Sequence, residues 1–483
     1  MRNKKIISHS LFIFTVLCIC LSIVKIYGIN NGNTIEEKMD AIIKKYDVQG
    51  VSYAIIENGQ VKSVRNHGYA NVEQNKKVDD NTAFKIASIS KTITAYAVMQ
   101  LVDQKVLDLD ASVEQYIKNW RFPESNYDWH KVTIRTLLAH TAGVTDSSEY
   151  GYTEPLPSVA EALVQKSITL KREPGTAFEY SSFSGYAILQ LVIENVTGER
   201  FEDYMCHHVF PALNMKSAGY YNQSEGNVFL ATPYAGAGTP VDIVPVVMTG
   251  AGGISATSSD MAFFVLGLID YYRAGNYEMF KEQQNTDSAY GTYALGIIPH
   301  RLDNGTVVYE HNGTLTGWNA QIALEPVSGN GFVFLCNSDK GFYLTNEVML
   351  LWSKDAIGYE VEEKSVMHIM STVINVVWTA IVVIAAFLSY TFVSDVIGKR
   401  RSLVKGKKQI IKLIAASLFG FLLLLGWYGT MYTDYLFKWL YDLPDYCPFT
   451  FLTRNVDWIG YALIVLVIAI IARRLYPRQR NCI

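Results

Sequence analysis

Phe84-Lys-Ile-Ala-Ser88-Ile-Ser-Lys91 places a serine and a lysine three positions apart, at the start of an apolar run from Ile93 to Leu101. Residues i and i+3 of a helix share one face, so the lysine amine can reach the serine hydroxyl. A serine becomes a useful nucleophile when a neighbouring base takes its proton, and a lysine with a lowered pKa can be that base. Backbone N–H groups at a helix N-terminus can also hold a developing oxyanion. The stretch therefore predicts acyl-transfer chemistry at Ser88, with Lys91 as its activator.

Two later segments carry side chains that suit the same chemistry. Tyr180-Ser-Ser182 precedes an apolar helical stretch, and Tyr309-Glu-His311-Asn-Gly313-Thr314 lies between two strand-like runs. The S-x-x-K pattern is weak alone, because Ser402-Leu-Val-Lys405 repeats it within a basic loop. The ordered set is more specific, since S-x-x-K followed by two further polar motifs is typical of serine β-lactamases and penicillin-binding proteins.

The set resembles the class C β-lactamase-like serine hydrolases, a family that also includes DD-peptidases and some esterases. Three more segments fit the family pattern: Leu137-Leu-Ala-His140-Thr-Ala-Gly143, Ala251-Gly-Gly253-Ile-Ser-Ala-Thr-Ser-Ser-Asp260 and Leu335-Cys-Asn337-Ser. The matching region covers roughly residues 34–357. The resemblance implies an α/β, β-lactamase-like fold: an antiparallel sheet flanked by helices, an all-α subdomain, and the active site in the cleft between them.

The resemblance assigns catalytic roles to Ser88 as the nucleophile of an acyl-enzyme, Lys91 as its activator and Tyr180 as the second proton carrier. A phenol with a pKa near 10 is a base only if nearby cations hold it as phenolate, and Lys91 is expected to do this. The alternative interpretations are a helix cap, a solvated lysine and a core tyrosine, one of 31 in the chain. The backbone N–H groups of Ser88 and Thr314 are expected to form the oxyanion hole.

The predicted substrate-binding positions are Ser182, His311, Asn312 and Gly313. Ser182 stands where the family more often has asparagine, and a hydroxyl reaches less far toward a substrate amide. His311 stands in the place of the K-T-G lysine, and we expect it to hold a carboxylate or to orient Tyr180. Gly313 would let the substrate lie against the strand.

The other histidines and cysteines predict neither a metal site nor a disulfide framework. No Cys/His cluster has zinc spacing, and the adjacent His207 and His208 do not face one way on a helix. We therefore expect no metal and no cofactor. Cys206 and Cys336 are expected to be buried small hydrophobes, and His140 to tie loop backbone together.

Four apolar stretches have the composition of membrane spans: Ile6–Tyr27, Ile369–Val393, Leu413–Tyr432 and Trp458–Ala472. A membrane-spanning helix needs about 20 apolar residues, so the fourth is marginal. The first follows a basic start and lies within residues 1–28, which are either a signal anchor or a cleaved signal peptide. The predicted organisation continues with a hydrolase domain at 29–360 and a three-helix transmembrane domain at 366–483.

Charge predicts the orientation of this membrane protein. Residues 366–483 carry 13 Lys and Arg against 5 Asp and Glu; the whole chain carries 42 against 45, which leaves 29 against 40 before residue 366. The basic clusters within 399–408 and 473–480 should be cytoplasmic by the positive-inside rule. The acidic domain is then expected on the extracytoplasmic side of a bacterial cytoplasmic membrane, in a multi-pass protein.

The leading functional prediction is an exported, membrane-bound serine hydrolase that acts through an acyl-enzyme on amides containing D-amino acids. Its architecture is similar to that of prodrug-activating peptidases of nonribosomal peptide pathways, such as the colibactin-maturing peptidase, which implies removal of an N-acyl-D-amino-acid cap. One alternative is a penicillin-binding DD-peptidase, β-lactamase or esterase, and another is a non-enzymatic sensor of β-lactams or wall fragments. The expected partners are a small-molecule or peptide substrate and the lipid bilayer, not nucleic acid; the oligomeric state stays open.

Overall fold

The computed structural model describes residues 34–46, 48–146, 155–235, 238–288, 291–358, 366–432 and 455–478. The chain forms two compact units, residues 42–365 and residues 1–41 together with 366–483. The predicted span Ile6–Tyr27 lies outside the described residues.

The larger unit contains a seven-stranded antiparallel sheet. In order across the sheet, its strands are β3 (Lys76–Lys77), β2 (Gln60–Asn71), β1 (Gly50–Glu57), β12 (Asn330–Cys336), β11 (Trp318–Glu325), β10 (Val307–Leu315) and β9 (Ile298–Arg301). β1 pairs with β12 from Val51 opposite Cys336 to Ile56 opposite Gly331. The N- and C-terminal pieces of this unit therefore share one sheet.

A tight turn joins β1 and β2 at the Asn58-Gly59 pair. Their φ angles are 53° and 76°, which glycine adopts freely and asparagine tolerates. β1 is buried along nearly its whole length, whereas β2 is mostly half-buried or exposed. The hairpin thus carries the chain from the covered centre of the sheet toward its open edge.

Helices cover both faces of this sheet. Side chains of a strand point alternately to opposite faces. On one face Phe332 of β12 stacks on Trp352 of α10 (Gly341–Ile357), with ring centroids 6.1 Å apart. On the other face Gly331 lies so close to Val265 of α9 (Ser258–Arg273) that a Cβ there would meet it at 2.6 Å. The sheet is therefore the middle layer between α9 and α10.

Short helices supply most of the regular structure between the two halves of the sheet. They are α2 (Ile89–Asp103), α3 (Ile134–Leu138), α4 (Val159–Gln165), α5 (Ser184–Thr197), α6 (Phe201–Tyr204), α7 (Phe210–Ala212) and α8 (Thr249–Gly252); α1 (Ile35–Tyr46) precedes the sheet. α2 is apolar around most of its circumference, and a helix of that kind must be buried. It packs against α5 and α8. The helix that follows Ser88 is thus the centre of the helical subdomain.

Five short strands also lie in this region, where the family resemblance implies an all-α subdomain. They are β4 (Thr82–Lys85), β5 (Phe229–Leu230) and β8 (Ser255–Ala256), which form one small sheet, and the pair β6 (Tyr234–Ala235) and β7 (Thr239–Pro240) in a second. β4 leads directly into the Ser88 segment and pairs with β8 through Lys85 and Ser255. This pairing fixes the approach to Ser88.

The second unit contains three long helices, α11 (Val366–Ile397), α12 (Lys407–Tyr432) and α13 (Asn455–Leu475). Two segments, Val376–Ile397 and Lys407–Gly429, are long and apolar enough to cross a membrane, each with a mean hydropathy of 2.2. Among the described residues, α13 holds no such segment. Two of the three predicted C-terminal spans are therefore supported by length and composition.

One of the two cysteine predictions is wrong. Cys336 is buried on β12, as predicted, but Cys206 is exposed. Cys206 lies in a π-helical turn, Met205–Val209, which turns Met205 and Val209 toward the core and Cys206 toward solvent. Nothing in the apolar pattern around residue 206 marks that irregular turn.

Candidate active site

Ser88 stands at the junction between β4 and α2. The preceding residue, Ala87, has a φ of 49°, a left-handed conformation that costs about 1–3 kcal/mol and persists only where the surroundings enforce it. Here the Ile86 N–H donates to the Ile254 carbonyl at 3.0 Å, which fixes the turn. Ser88 makes no side-chain capping hydrogen bond to α2 and remains partly exposed. Its hydroxyl is therefore available to a substrate.

Lys91 is the buried partner of this hydroxyl. Its side chain is 0% exposed, and its Nζ lies 3.2 Å from the Ser88 Oγ and 2.9 Å from the Ala251 carbonyl oxygen. Burial lowers the pKa of the amine to about 7, although the negative charge of Asp146 raises it. A substantial fraction of Lys91 is thus neutral near pH 7, and a neutral amine can take the Ser88 proton.

Tyr180 lies beside this pair, but it is not held as a phenolate. The Lys91 Nζ is 5.1 Å from the centre of the Tyr180 ring. Burial raises the pKa of the phenol above its usual value of 10, and a hydrogen bond with Ser88 only partly offsets this effect. The expectation that Lys91 holds a phenolate is therefore wrong, because the buried amine is itself only partly charged. Tyr180 is suited to relay a proton as a neutral phenol.

Asp146, which sequence analysis did not identify, fixes the loop that follows Tyr180. Its carboxylate accepts from the backbone N–H groups of Ser182 at 2.5 Å, Phe183 at 3.1 Å and Ser184 at 3.3 Å. These hydrogen bonds lower the pKa of Asp146 against the effect of its burial. A carboxylate at the first turn of α5 is also favoured by the helix dipole. The only sequence signal was its place shortly after the Leu137–Gly143 segment.

His140 ties the same loop from the other side, in agreement with its structural interpretation. Its Nδ1 accepts from the Ser181 N–H at 3.0 Å, and its carbonyl accepts from the Glu179 N–H at 2.9 Å. The imidazole also packs against the Tyr180 ring, with centroids 4.3 Å apart. Tyr180 is thus positioned by loop contacts on both sides.

His311 lies near Tyr180, but both of its ring nitrogens are hydrogen-bonded within the protein. Its Nδ1 is 2.6 Å from the Asn312 carbonyl and must donate there, so its Nε2 accepts from the Tyr293 hydroxyl at 2.9 Å. Burial, together with the charge of Lys91, lowers the pKa of His311 to about 4. The ring is therefore neutral and offers no cation to a substrate carboxylate. It packs near Tyr180, at 6.4 Å between centroids, without a hydrogen bond to it.

Tyr293 is a second functional candidate that sequence analysis missed. Its side chain is 2% exposed and packs against His140 and Phe178. Its hydroxyl bonds the Nε2 of His311, which is the accepting nitrogen of the neutral tautomer because Nδ1 donates to the Asn312 carbonyl. No motif distinguishes this tyrosine from the other 30 in the chain.

β10 brings Gly313 against the nucleophile. A Cβ on Gly313 would lie 2.1 Å from the Ile86 carbonyl oxygen and 3.1 Å from the Ser88 nitrogen, so only glycine fits. β9 pairs only with Val307–Glu310, and β10 continues past it to Leu315. The strand therefore passes directly beside the backbone N–H of Ser88.

The side chains of the remaining predicted binding residues have other partners or are exposed. Thr314 follows Gly313, but its hydroxyl donates to Asn319 at 3.1 Å; its predicted oxyanion role uses the backbone N–H. Asn312 alternates with His311 along the strand, so its exposed side chain points to the opposite face. The Ser182 side chain is exposed beside Asp146.

The family model named Beta-lactamase matches residues 33–351. The chain belongs to the beta-lactamase family. Among curated relatives, Protein flp of Staphylococcus aureus (strain MW2) is 27% identical over 325 residues, which cover 63% of this chain and 64% of that protein. The putative penicillin-binding protein PbpX of Bacillus subtilis (strain 168) is 28% identical over 293 residues, which cover 59% of this chain and 69% of PbpX. The chain thus spans slightly less than two thirds of the Staphylococcus aureus protein.

Solved structures share this beta-lactamase fold. The octameric penicillin-binding protein homologue from Pyrococcus abyssi has a TM-score of 0.59 at 22% identity and covers 71% of this chain and 80% of its own. A D-amino acid amidase from Ochrobactrum anthropi SV3, complexed with L-phenylalanine amide, has a TM-score of 0.56 at 23% identity; the match covers 67% of this chain and 98% of the amidase chain. A class C beta-lactamase has a TM-score of 0.54 at 20% identity; the match covers 66% of this chain and 97% of the beta-lactamase chain. The predicted α/β, β-lactamase-like fold is confirmed, and the family contains serine hydrolases of these kinds.

Proposed function

We propose that this protein is a membrane-held serine hydrolase that acylates Ser88 and cleaves amides of D-amino acids whose leaving group carries no carboxylate. The observation that carries the proposal is the contact between Lys91 and Ser88: a fully buried amine, with a pKa of about 7, lies 3.2 Å from the serine hydroxyl. A buried lysine with no salt bridge among the described residues is unfavourable for stability, so its presence beside a hydroxyl in a cleft favours a catalytic role.

The geometry supports a simple sequence of proton transfers. Neutral Lys91 takes the Ser88 proton as Oγ bonds to the substrate carbonyl carbon, and the carbonyl oxygen becomes an oxyanion beside the Ser88 and Thr314 N–H groups. Lys91, through Tyr180, returns that proton to the leaving nitrogen as the C–N bond breaks. A water then attacks the Ser88 ester, gives its proton to the same relay, and Ser88 recovers its hydrogen as the acid is released.

The neutral state of His311 supports the preference for an uncharged leaving group. A terminal carboxylate on the substrate would require a cation to replace its lost hydration. His311 offers none, since its ring is neutral and both nitrogens are bonded within the protein. A D-amino acid amide has no such carboxylate, and a solved D-amino acid amidase shares this fold. An N-acyl-D-amino-acid cap on a larger product satisfies the same requirement and fits activation of a peptide prodrug.

The two apolar C-terminal helices support a membrane location. Their mean hydropathy of 2.2 suits a bilayer, and the basic residues between them favour a cytoplasmic connection. The hydrolase domain would then act outside the cytoplasm. A single cysteine introduced by Leu403→Cys, in a variant without native cysteines, tests this: it should resist impermeant thiol reagents in intact cells and react after lysis.

Mass spectrometry of the full-length protein tests the proposed reaction. We expect a Ser88-linked acyl adduct with N-acyl-D-asparagine amides, slower reaction with the L-epimers, and no adduct with Ser88→Ala. Equal or faster reaction of the L-epimers would contradict the D-specific proposal.

A penicillin-binding role is the second candidate, favoured by the similarity to PbpX of Bacillus subtilis. The same measurement with a fluorescent penicillin separates the two candidates. A long-lived penicillin adduct at Ser88, combined with inert D-amino acid amides, would favour a penicillin-binding protein.

A further inference from the structure

One carboxylate ties together an end of the three-helix unit. Asp395 on α11 is 2% exposed and accepts from Arg401, with Nε at 3.1 Å and Nη2 at 2.9 Å. It also accepts from Arg478, with Nε at 2.6 Å and Nη2 at 3.0 Å. Arg401 in turn donates to the Tyr476 carbonyl at 2.8 Å. Asp395 therefore joins α11, the connection to α12 and the segment after α13.

Backbone hydrogen bonds hold the same two segments together. The Val404 N–H donates to the Leu475 carbonyl at 2.9 Å, and the Ser402 N–H donates to the Pro477 carbonyl at 3.3 Å. These hydrogen bonds fix the backbone of the two segments from which the arginine side chains project.

The charge at this end is far from balanced. Residues 395–412 and 470–478 contain ten Lys and Arg and one acidic residue, Asp395. Asp395 accepts hydrogen bonds from Arg401, whose side chain is 4% exposed, and from Arg478, whose side chain is 62% exposed. The side chain of Arg400 is 71% exposed, and its Nη1 lies 3.9 Å from Asp395, too far for a hydrogen bond. Arg474 and Lys399 are exposed as well. Like charges held within about one Debye length repel one another, so an anion bound among them would relieve the repulsion.

We propose that this basic end, which we define as Arg400 and Arg474, binds the phosphate of an anionic phospholipid headgroup. The inference rests on the proposed membrane location. The apolar segments Val376–Ile397 and Lys407–Gly429 end and begin here, so lipid phosphates would lie level with the guanidinium groups. Guanidinium matches phosphate with paired N–H donors. Basic sites between membrane helices select anionic headgroups over zwitterionic ones, whose own ammonium the site repels.

Lipid titration of the full-length protein, followed by native mass spectrometry, tests this site. Each basic residue at a membrane surface strengthens binding about fivefold. We expect wild-type protein to bind phosphatidylglycerol at least about tenfold more tightly than phosphatidylcholine, and the double substitution Arg400→Gln/Arg474→Gln to weaken phosphatidylglycerol binding about 25-fold. The control Lys105→Gln/Arg121→Gln makes the same charge change at exposed positions of the other unit and should leave binding unaltered.

The arms of this experiment separate the possible outcomes. Equal wild-type affinity for the two lipids, or an unchanged double variant, would overturn the lipid site while leaving the hydrolase proposal intact. Displacement of phosphatidylglycerol by inorganic phosphate would show a free-phosphate site and would also overturn it. If the double variant fails to fold, the wild-type comparison still decides. Extraction of the protein from membranes by alkaline carbonate would contradict the proposed membrane location itself.

Discussion

The Nζ of Lys91 lies 3.2 Å from the Oγ of Ser88, and its other hydrogen-bond partner is the neutral Ala251 carbonyl. Burial without a directly bonded carboxylate depresses the pKa of this amine to about 7. Deprotonation of Lys91 should therefore control the rate of acylation near neutral pH.

We predict that kcat/KM for acylation rises with pH and levels off above an apparent pKa of about 7, the value for Lys91 in the free protein. If kcat/KM does not change between about pH 6 and about pH 8, the range around this pKa, Lys91 is not the base.

The stability of the folded protein should also depend on the titration of Lys91. Its folded pKa lies below the unfolded value of 10.5, so the unfolded chain binds more protons between about 7 and 10.5, and this contribution to stability rises with pH across that range.

We predict that Ser88→Ala abolishes acylation and that Lys91→Ala lowers its rate by about 10³-fold or more, because groups that act as one unit lose most of the rate together. Stopped-flow kinetics with a chromogenic ester would measure this. The matched control is Ser402→Ala with Lys405→Ala, the second S-x-x-K pair, which lies in the other unit and should leave the rate unchanged.

The Lys91–Ser88 contact could be predicted from sequence because a spacing of three within a helix fixes which side chains meet. The contacts of Asp146 and Tyr293 could not be predicted, since each residue meets a partner far along the chain: Asp146 and Ser182 are 36 positions apart, and Tyr293 and His311 are 18 apart. The protonation of Tyr180 was also beyond the sequence, because it depends on burial in the folded cleft. The antiparallel sheet was implied by the family resemblance of the ordered motifs, whereas the irregular turn that exposes Cys206 has no local pattern.

We predict that Asp146→Ala lowers both activity and stability. Removal of the carboxylate leaves three N–H groups at the start of α5 without their acceptor and costs about 1–3 kcal/mol. The pKa of Asp146 lies below its usual value, so its stabilising effect is present above that range and is lost as the pH falls through the folded pKa. Because the loop also positions Tyr180, kcat should fall more than KM rises.

Thermal unfolding and steady-state kinetics together check this role. Asp110→Ala is the matched control, because Asp110 forms an ion pair with Arg135 and its side chain is 67% exposed. An exposed pair is worth about 1 kcal/mol or less. Equal losses in the two variants would show that Asp146 has no special part in the site.

We predict that Gly313→Ala lowers kcat/KM by about 10²-fold or more, as misplacement of reacting groups by about 1 Å can do. The added Cβ would lie 2.1 Å from the Ile86 carbonyl, so β10 must move away from Ser88. Gly406→Ala is the control, since its Cβ would meet only Gln409 at 3.8 Å. Wild-type activity in Gly313→Ala would show that β10 is not held against the nucleophile.

We predict that His311→Lys changes the leaving group that the enzyme accepts. In the native site burial and the charge of Lys91 keep the His311 ring neutral, and its Nε2 is bonded to the Tyr293 hydroxyl at 2.9 Å, so a substrate carboxylate would gain no cation from His311. A lysine at this position would supply that cation. The ratio of kcat/KM for a peptide ending in a free D-residue to that for the matching D-residue amide should rise at least about tenfold, which corresponds to 1.4 kcal/mol of differential transition-state binding.

The second substitution Tyr293→Phe separates charge from packing in this prediction. It removes the donor to Nε2 while keeping the ring that packs against His140 and Phe178. Burial and the charge of Lys91, which lower the pKa of the imidazole to about 4, remain in this variant, so the ring should stay neutral. The preference for carboxylate-bearing substrates should therefore stay low in Tyr293→Phe, as in wild type, and increase in His311→Lys. An unchanged leaving-group preference in His311→Lys would remove His311 from substrate selection.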